Sequence, residues 1–424
     1  MEIPFRYGDQ TVKINIEDRN LAGIVQTNLP AAPNQSEEVK NTLAHPIGSS
    51  KLRDLVLKKQ PASIAILVAD VSRPIPYRAV LEPVLQEILT AGVKKDQVKF
   101  IIATGAHRPN SVSEIKKVFG PLAEQYLFFN HDCDRCLVNL GRLSSGTELY
   151  INKQVIEAAM VITVGNIMPH NLAGFSGGPK LILPGVAGRK TIEQNHGMLT
   201  CQGVGPGKIA GNPVSEQIME AAQRVGVDFA VNVIINEENE IIKCFAGDPA
   251  ASWLTGCGCC HNLYRQKLPA PQQVVIAGAG GYPRDINLYQ AVKALINGAG
   301  LAATGGTVVL LARCQEGIGE PVFQQWLEQA RSPHEIMRKF HEQGFVLGGH
   351  KAYLLSKIMQ EKEIILISDL AGSQNQVPLL KNAADWQTAE KMLVRKYGPA
   401  YRALAVPFAG LVFPLSGQAM LSDK

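Results

Sequence analysis

The chain has 424 residues, 46% hydrophobic and 19% charged, and its 42 Lys and Arg against 37 Asp and Glu give a formal charge of +5. So small an excess, with the basic residues scattered, excludes nucleic acid as the main partner and leaves room for small anionic ligands. No apolar run approaches the roughly 18 to 20 residues that span a bilayer, and eight cysteines are too dilute for a disulfide scaffold. A cytoplasmic protein with reduced thiols and no membrane partner is expected.

The N-terminal run MEIPFRYGDQTVKINIED alternates like a pair of strands and lacks the basic-then-apolar layout of a signal peptide. After a polar linker, the run 62–68 (ASIAILV) leads into Asp70-Val71-Ser72-Arg73-Pro74. The run 97–103 (QVKFIIA) leads into Thr104-Gly105-Ala106-His107-Arg108-Pro109, and 160–164 leads into Gly165-Asn166 and then His170. Short buried runs alternating with helical patterns predict parallel strands in an α/β fold, whose carboxyl ends are where open sheets bind ligands. Residues 169–196, PHNLAGFSGGPKLILPGVAGRKTIEQNH, then bring together His170, a loop of Ser176, Gly177 and Gly178, Lys180 among apolar residues, and His196 after a short predicted helix. A lysine in apolar surroundings is unusual unless paired, bonded or modified.

A second series of strands is predicted at 273–283, 306–314, 363–372 and 402–408, with helices at 285–296 and 350–359 between them. The segment QKLPAPQQ (266–273) reads as the linker, and the tail 407–414 as a segment able to fold back across it. The expected architecture is therefore two α/β domains with mainly parallel sheets, 1–268 and 269–424, and an active-site cleft between them.

Several side chains carry chemistry in this frame. His107 and His170 on strand ends suit a pair of acid/base groups flanking one substrate, although a lone loop histidine more often bonds backbone. Asp70 suits a ribose hydroxyl and Arg73 an anionic substrate group, against the plainer alternative of a capped turn with a surface ion pair. Tyr289, Gln290 and Lys293 cluster on one helix, Gln290 and Lys293 at i, i+3, where they suit a carboxylate unless that face is merely solvated. His196 has no HExxH or His-x-His partner, so any metal it binds must draw most donors from something other than protein. Gly203-Val204-Gly205-Pro206-Gly207-Lys208 and Gly278-Ala279-Gly280-Gly281 are broken versions of phosphate and dinucleotide loops. Cys133/Cys136 and Cys257-Gly258-Cys259-Cys260-His261 read as buried thiols, with a metal site the lesser alternative.

The segments ADVSRP, ATGAHRP, the 170–196 block and GGYPRDINLYQAVK, in that order from Asn20 to Gly372, resemble the nickel-pincer lactate racemase family. The resemblance implies a nickel-pincer nucleotide, a pyridinium-3,5-bisthiocarboxylic acid mononucleotide carrying Ni. Lys180 matches the lysine that bears this cofactor, His196 the protein ligand to nickel, and His107 and His170 the paired acid/base histidines. It further implies that Asp70 and the Ser176–Gly178 backbone anchor the nucleotide, and that Arg73, Tyr289, Gln290, Lys293 and His350 face the substrate. Cofactor-biosynthesis enzymes are then expected partners, and a small 2-hydroxy acid the substrate of a racemase or epimerase working by reversible hydride transfer. Pro179 stands where lactate-specific members have Arg and His350 where they have Trp, which points to a substrate larger or more polar than lactate. The rival readings are a nicotinamide-dependent 2-hydroxy acid dehydrogenase, disfavoured by the broken glycine loops, and a non-catalytic nickel or nucleotide carrier, in which the histidine pair has no use.

Overall fold

A computed structural model describes residues 1–266, 270–370 and 377–414. The chain divides into two compact units, one formed by 28–263 and the other by 1–27 together with 264–424. Residues 1–27, assigned to the first domain on sequence, thus belong with the C-terminal half. The reason is strand pairing, because Leu21–Ile24 adds in parallel to Ala403–Val406 and forms the edge of that sheet. Residues 267–269 of the expected linker, and Ala371 and Gly372 at the end of the predicted strand 363–372, lie outside the described residues.

The unit 28–263 is built on a six-stranded sheet in the order Ile241–Gly247, Phe229–Ile235, Met160–Asn166, Ile64–Ala69, Val98–Ala103, Leu127–Asn130. All neighbours are parallel except the first pair, which is antiparallel. Ile64–Ala69 and Met160–Asn166 are buried at every position, as parallel strands covered on both faces must be. The predicted runs 62–68, 97–103 and 160–164 correspond to three adjacent strands of this sheet, so the loops that follow them open on one edge. The antiparallel pair Leu137–Arg142 and Glu148–Asn152 was not predicted; it forms a separate two-stranded ribbon.

The second unit holds a six-stranded parallel sheet in the order Lys381–Ala383, Glu363–Ile367, Ala302–Leu311, Gln272–Gly278, Ala403–Val406, Leu21–Ile24. The N-terminal hairpin Glu2–Tyr7 with Gln10–Asn15 packs Ile3, Phe5, Ile14 and Ile16 into the core beneath it. Its alternation of buried and exposed positions is the period of a strand with one wet face. Two helices carry residues singled out in the sequence. Leu288–Ala299 starts at Asn287, whose side chain accepts from the Gln290 N–H, an N-cap that satisfies an otherwise unpaired amide. Gly349–Glu361 packs against it. In the tail, Phe413–Pro414 pairs in parallel with Arg265–Gln266, where the expected linker begins.

Candidate active site

Asp70, His107 and His170 follow Ile64–Ala69, Val98–Ala103 and Met160–Asn166, three adjacent parallel strands with Asp70 on the central one. With neighbouring strands about 4.8 Å apart, their side chains emerge along one edge of the sheet. The Asp70 carboxylate, read as a ribose anchor, is engaged within the chain. Its Oδ2 lies 2.8 Å from His107 Nδ1, and its Oδ1 accepts from the Ser72 N–H at 2.7 Å and the Ser72 hydroxyl at 2.5 Å. Burial acts to raise the Asp70 pKa, but the His107 ring, the Arg73 charge and the Ser72 bonds more than reverse it. Asp70 therefore stays ionised, well below the ordinary carboxylate range, and Arg73 acts on it from the same turn.

The loop carrying His107 is tied to the lysine segment: Gly105 N–H donates to the Gly185 carbonyl, and Gly185 N–H to that of Lys180. Lys180 is buried in a short 3-10 helix, Gly178–Leu181, packed over the ends of the strands beginning at Ile64, Met160 and Phe229. The glycine loop before it is held by two residues that sequence reasoning did not single out. Asn232 Oδ1 accepts from the Gly178 N–H at 2.7 Å, and Trp253 Nε1 donates to the Ser176 carbonyl at 2.9 Å. Asn232 had a signal: it is the one polar side chain in the strand FAVNVII. Gly178 has φ +45°, and a Cβ there would lie 2.5 Å from Trp253 Cδ1, so only glycine fits. Ser176 uses its N–H on the Met168 carbonyl and its hydroxyl on the Asn166 carbonyl. The amides of Ser176 and Gly178, expected to anchor a nucleotide, are thus spent on the fold.

His170 sits in a two-residue hairpin with Gly174, and its Nδ1 accepts from the N–H groups of Leu172 and Ala173 at 3.2 and 3.1 Å. The broken phosphate-like loop at 203–208 serves this hairpin. Gly207 N–H donates to the Gly174 carbonyl, and Asn212 Nδ2 bonds the carbonyls of Leu172 and Lys208. Gly174, at φ +69°, has no room for a side chain, since a Cβ would meet the Lys208 carbonyl oxygen at 2.1 Å.

His196 ends the helix Arg189–His196. Asn195 beside it donates from Nδ2 to the Val214 carbonyl and to Gln217 Oε1, which turns its own Oδ1 toward His196 Nδ1 at 3.2 Å. Gln217 in turn donates to the hydroxyls of Ser145 and Thr147. His196 Nδ1–H must then be the donor, and Nε2 keeps its lone pair, the state a metal ligand needs. Among the described residues no group of three or more His, Cys, Asp and Glu side chains is placed to hold a metal. Cys257, Cys259 and Cys260 lie along the helix Pro249–Tyr264, and burial raises the pKa of all three, as for structural thiols.

In the other unit, Tyr289, Gln290, Lys293 and His350 form a second group. Lys293 Nζ donates to Gln290 Oε1 at 2.6 Å, so the i, i+3 pair does share a face. The buried His350 ring stacks on Phe345 with centroids 5.1 Å apart and stands edge-on to Tyr289 at 6.5 Å. Lys351 Nζ bonds the Tyr289 carbonyl at 2.5 Å and lies 3.4 Å from the centre of its ring. Burial, with the Lys351 charge added, lowers the His350 pKa to about 3, so its imidazole is neutral at physiological pH. Lys351 had no sequence signal beyond standing next to His350.

A sequence model of the lactate racemase N-terminal domain matches residues 7–205, and one of the lactate racemase C-terminal domain matches 268–407. The chain is 33% identical over 380 residues to lactate racemase from Thermoanaerobacterium thermosaccharolyticum, covering 87% of this chain and 88% of the relative. It is 31% identical, over the same shares, to lactate racemase from Lactiplantibacillus plantarum. The solved lactate racemase apoprotein from T. thermosaccharolyticum superimposes with a TM-score of 0.86 at 30% identity, covering 97% of this chain and 99% of that one. A Thermotoga maritima protein shares the fold, with a TM-score of 0.68 at 17% identity over 90% of this chain and 99% of its own.

Proposed function

This chain belongs to the lactate racemase family, whose named relatives are isomerases, and on that premise we propose that it racemises or epimerises a small 2-hydroxy acid with a nickel-pincer nucleotide. The observation that carries the reading is the placing of Asp70, His107, His170 and the Lys180 segment at the ends of adjacent parallel strands. The donor set suits such a group. Among the described residues His196 offers one oriented imidazole outside any group of three or more His, Cys, Asp and Glu side chains, which would suit a nickel whose other donors came from the cofactor. Two buried amide donors, Asn110 Nδ2 and Asn232 Nδ2, have no hydrogen-bond partner among the described residues, and Asn232 lies directly against the glycine loop. Lys180 would carry the cofactor and His196 would complete the nickel coordination.

When bound, the nickel-pincer nucleotide supplies an acceptor for the hydride that leaves the substrate carbon. The residues of this chain handle everything else. His107 and His170 exchange the hydroxyl proton as the carbon becomes planar and is rebuilt on the other face. Arg73 binds an anionic substrate group beside the histidines, and in the other unit Tyr289, Gln290, Lys293 and His350 are groups of the kind that bind carboxylate and hydroxyl. Production of the chain together with cofactor-biosynthesis enzymes, followed by nickel analysis, absorption spectroscopy and chiral chromatography of single-enantiomer 2-hydroxy acids, tests the reading. His107→Ala and His170→Ala are expected to retain nickel and lose interconversion, and His196→Ala to lose the metal. Protein with neither nickel nor chromophore, or full activity in either of the first two variants, refutes it.

A further inference from the structure

We infer that the two histidines are held in opposite tautomers, His107 with its proton on Nδ1 and His170 with its proton on Nε2, and that Asp70 is the positioning residue that sets the first. The roles of His107 and His170 rest on the function proposed above, but the tautomers follow from the hydrogen-bond geometry and the ionised Asp70 without it. An ionised carboxylate has no proton to give, so at 2.8 Å from Asp70 Oδ2 the His107 Nδ1 must be the donor, and Nε2 carries the lone pair. A backbone N–H can only donate, so the bonds from Leu172 and Ala173 make His170 Nδ1 an acceptor, and the ring proton sits on Nε2.

The chemical consequence is an asymmetry between the two sides of the site. His107 can accept the substrate hydroxyl proton at Nε2 without rearrangement, because the imidazolium so formed keeps its Nδ1–H on an ionised Asp70. His170 as folded presents a hydrogen-bond donor. To hold a second proton it would need one on Nδ1, and both amide bonds of the 170–173 turn would have to open. The enantiomer whose hydroxyl faces His107 therefore meets a base that is ready, and its mirror image requires the turn to move first. In a racemase the equilibrium constant of one forces equal kcat/KM for the two enantiomers, so the asymmetry shows in kcat and KM separately.

Ser72 makes the assignment of Asp70 unusually sharp. In Asp70→Asn the Ser72 N–H and hydroxyl still need an acceptor at the Oδ1 position. The side-chain oxygen stays there, and the new NH2 faces His107 Nδ1. An NH2 can only donate, so the variant should reverse the His107 tautomer, putting the proton on Nε2 and removing the base. Loss of interconversion on the order of 10³ to 10⁴-fold is expected, the scale seen when a carboxylate that orients a catalytic histidine becomes an amide.

The test is nitrogen NMR of the full chain with isotope-labelled histidine, at a pH where the rings are neutral, with His107→Gln and His170→Gln used only to assign signals. Two internal standards are available. His131 Nε2 bonds the Ala187 carbonyl, so it must carry the proton on Nε2, and His196 bonds Asn195 through Nδ1. The expected spectrum groups His170 with His131 and His107 with His196, and Asp70→Asn moves His107 into the His131 group. His107 protonated on Nε2 in the native chain, or His170 protonated on Nδ1, overturns the inference. An unchanged His107 tautomer in Asp70→Asn overturns the role given to Asp70. The measurement needs no cofactor, so a chain with these tautomers that racemises no 2-hydroxy acid when loaded refutes the proposed function and leaves the inference standing.

Discussion

The neutral, buried His350 makes a quantitative prediction about stability in acid. Its ordinary pKa of 6.5 falls to about 3 in the folded chain, chiefly through burial, with the Lys351 charge adding to it. Between those values the unfolded chain binds a proton at this position and the folded chain does not, so stability is unaffected above pH 6.5 and is lost as the pH falls toward 3. For one group with these two constants, linkage gives a loss of about 2 kcal/mol at pH 5 and about 3 kcal/mol at pH 4, against almost nothing at pH 7.5. Carboxylates titrate over part of the same range, so the quantity to read is the difference between the native chain and His350→Gln, which cannot titrate. Urea unfolding at pH 7.5, 6, 5 and 4, followed on the transition of the unit containing His350, should show the two stabilities converging by about 2 kcal/mol between pH 7.5 and 5. Parallel pH profiles would show that His350 takes up its proton as readily in the fold as in the unfolded chain, and would refute its lowered pKa.

If His196 binds nickel as proposed, Asn195→Ala should weaken nickel retention by roughly 10 to 100-fold, since the residue that orients a metal-binding imidazole matters almost as much as the ligand. Asn195→Asp, which keeps an acceptor for His196 Nδ1, should retain more metal than the alanine variant in nickel analysis of cofactor-loaded protein. Gly178→Ala should destabilise the unit 28–263 by about 2 to 4 kcal/mol, from a residue forced into the left-handed region and a displaced Trp253 that loses its bond to Ser176. A change in the unfolding midpoint of less than about half a kcal/mol would show that the loop yields instead. Trp253→Phe keeps an aromatic ring but removes the donor and part of the buried volume, and should cost at least about 1 kcal/mol by the same assay.

Sequence reading reached the strands that build the site because each is a short run of β-branched and apolar residues closed by a polar loop. The runs before Asp70, His107 and His170 fall within one or two residues of the strands Ile64–Ala69, Val98–Ala103 and Met160–Asn166. The helix carrying Tyr289, Gln290 and Lys293 was legible from its pattern, although its start shifts from 285 to Leu288, where Asn287 caps it. What lay beyond the sequence were partnerships between residues far apart in the chain. Asp70 was read as a ligand anchor because its partner His107 is 37 residues away, on the neighbouring strand. Asn232 and Trp253 hold the glycine loop from 54 and 77 residues downstream, and neither belongs to a local motif.

The amino-acid sequence by itself determined the α/β class, the order of strands and helices, the family and the residues with chemistry to offer, since all of these reside in short-range periodicity and in compact motifs. Tertiary structure alone decided that Leu21–Ile24 completes the second sheet, that the Ser176 and Gly178 amides are spent on the fold, and how the ring nitrogens of His107 and His170 are hydrogen-bonded. Those are hydrogen-bonding decisions. A donor takes whichever acceptor the packed chain brings within about 3 Å, and that choice exists only once strands distant in sequence lie side by side.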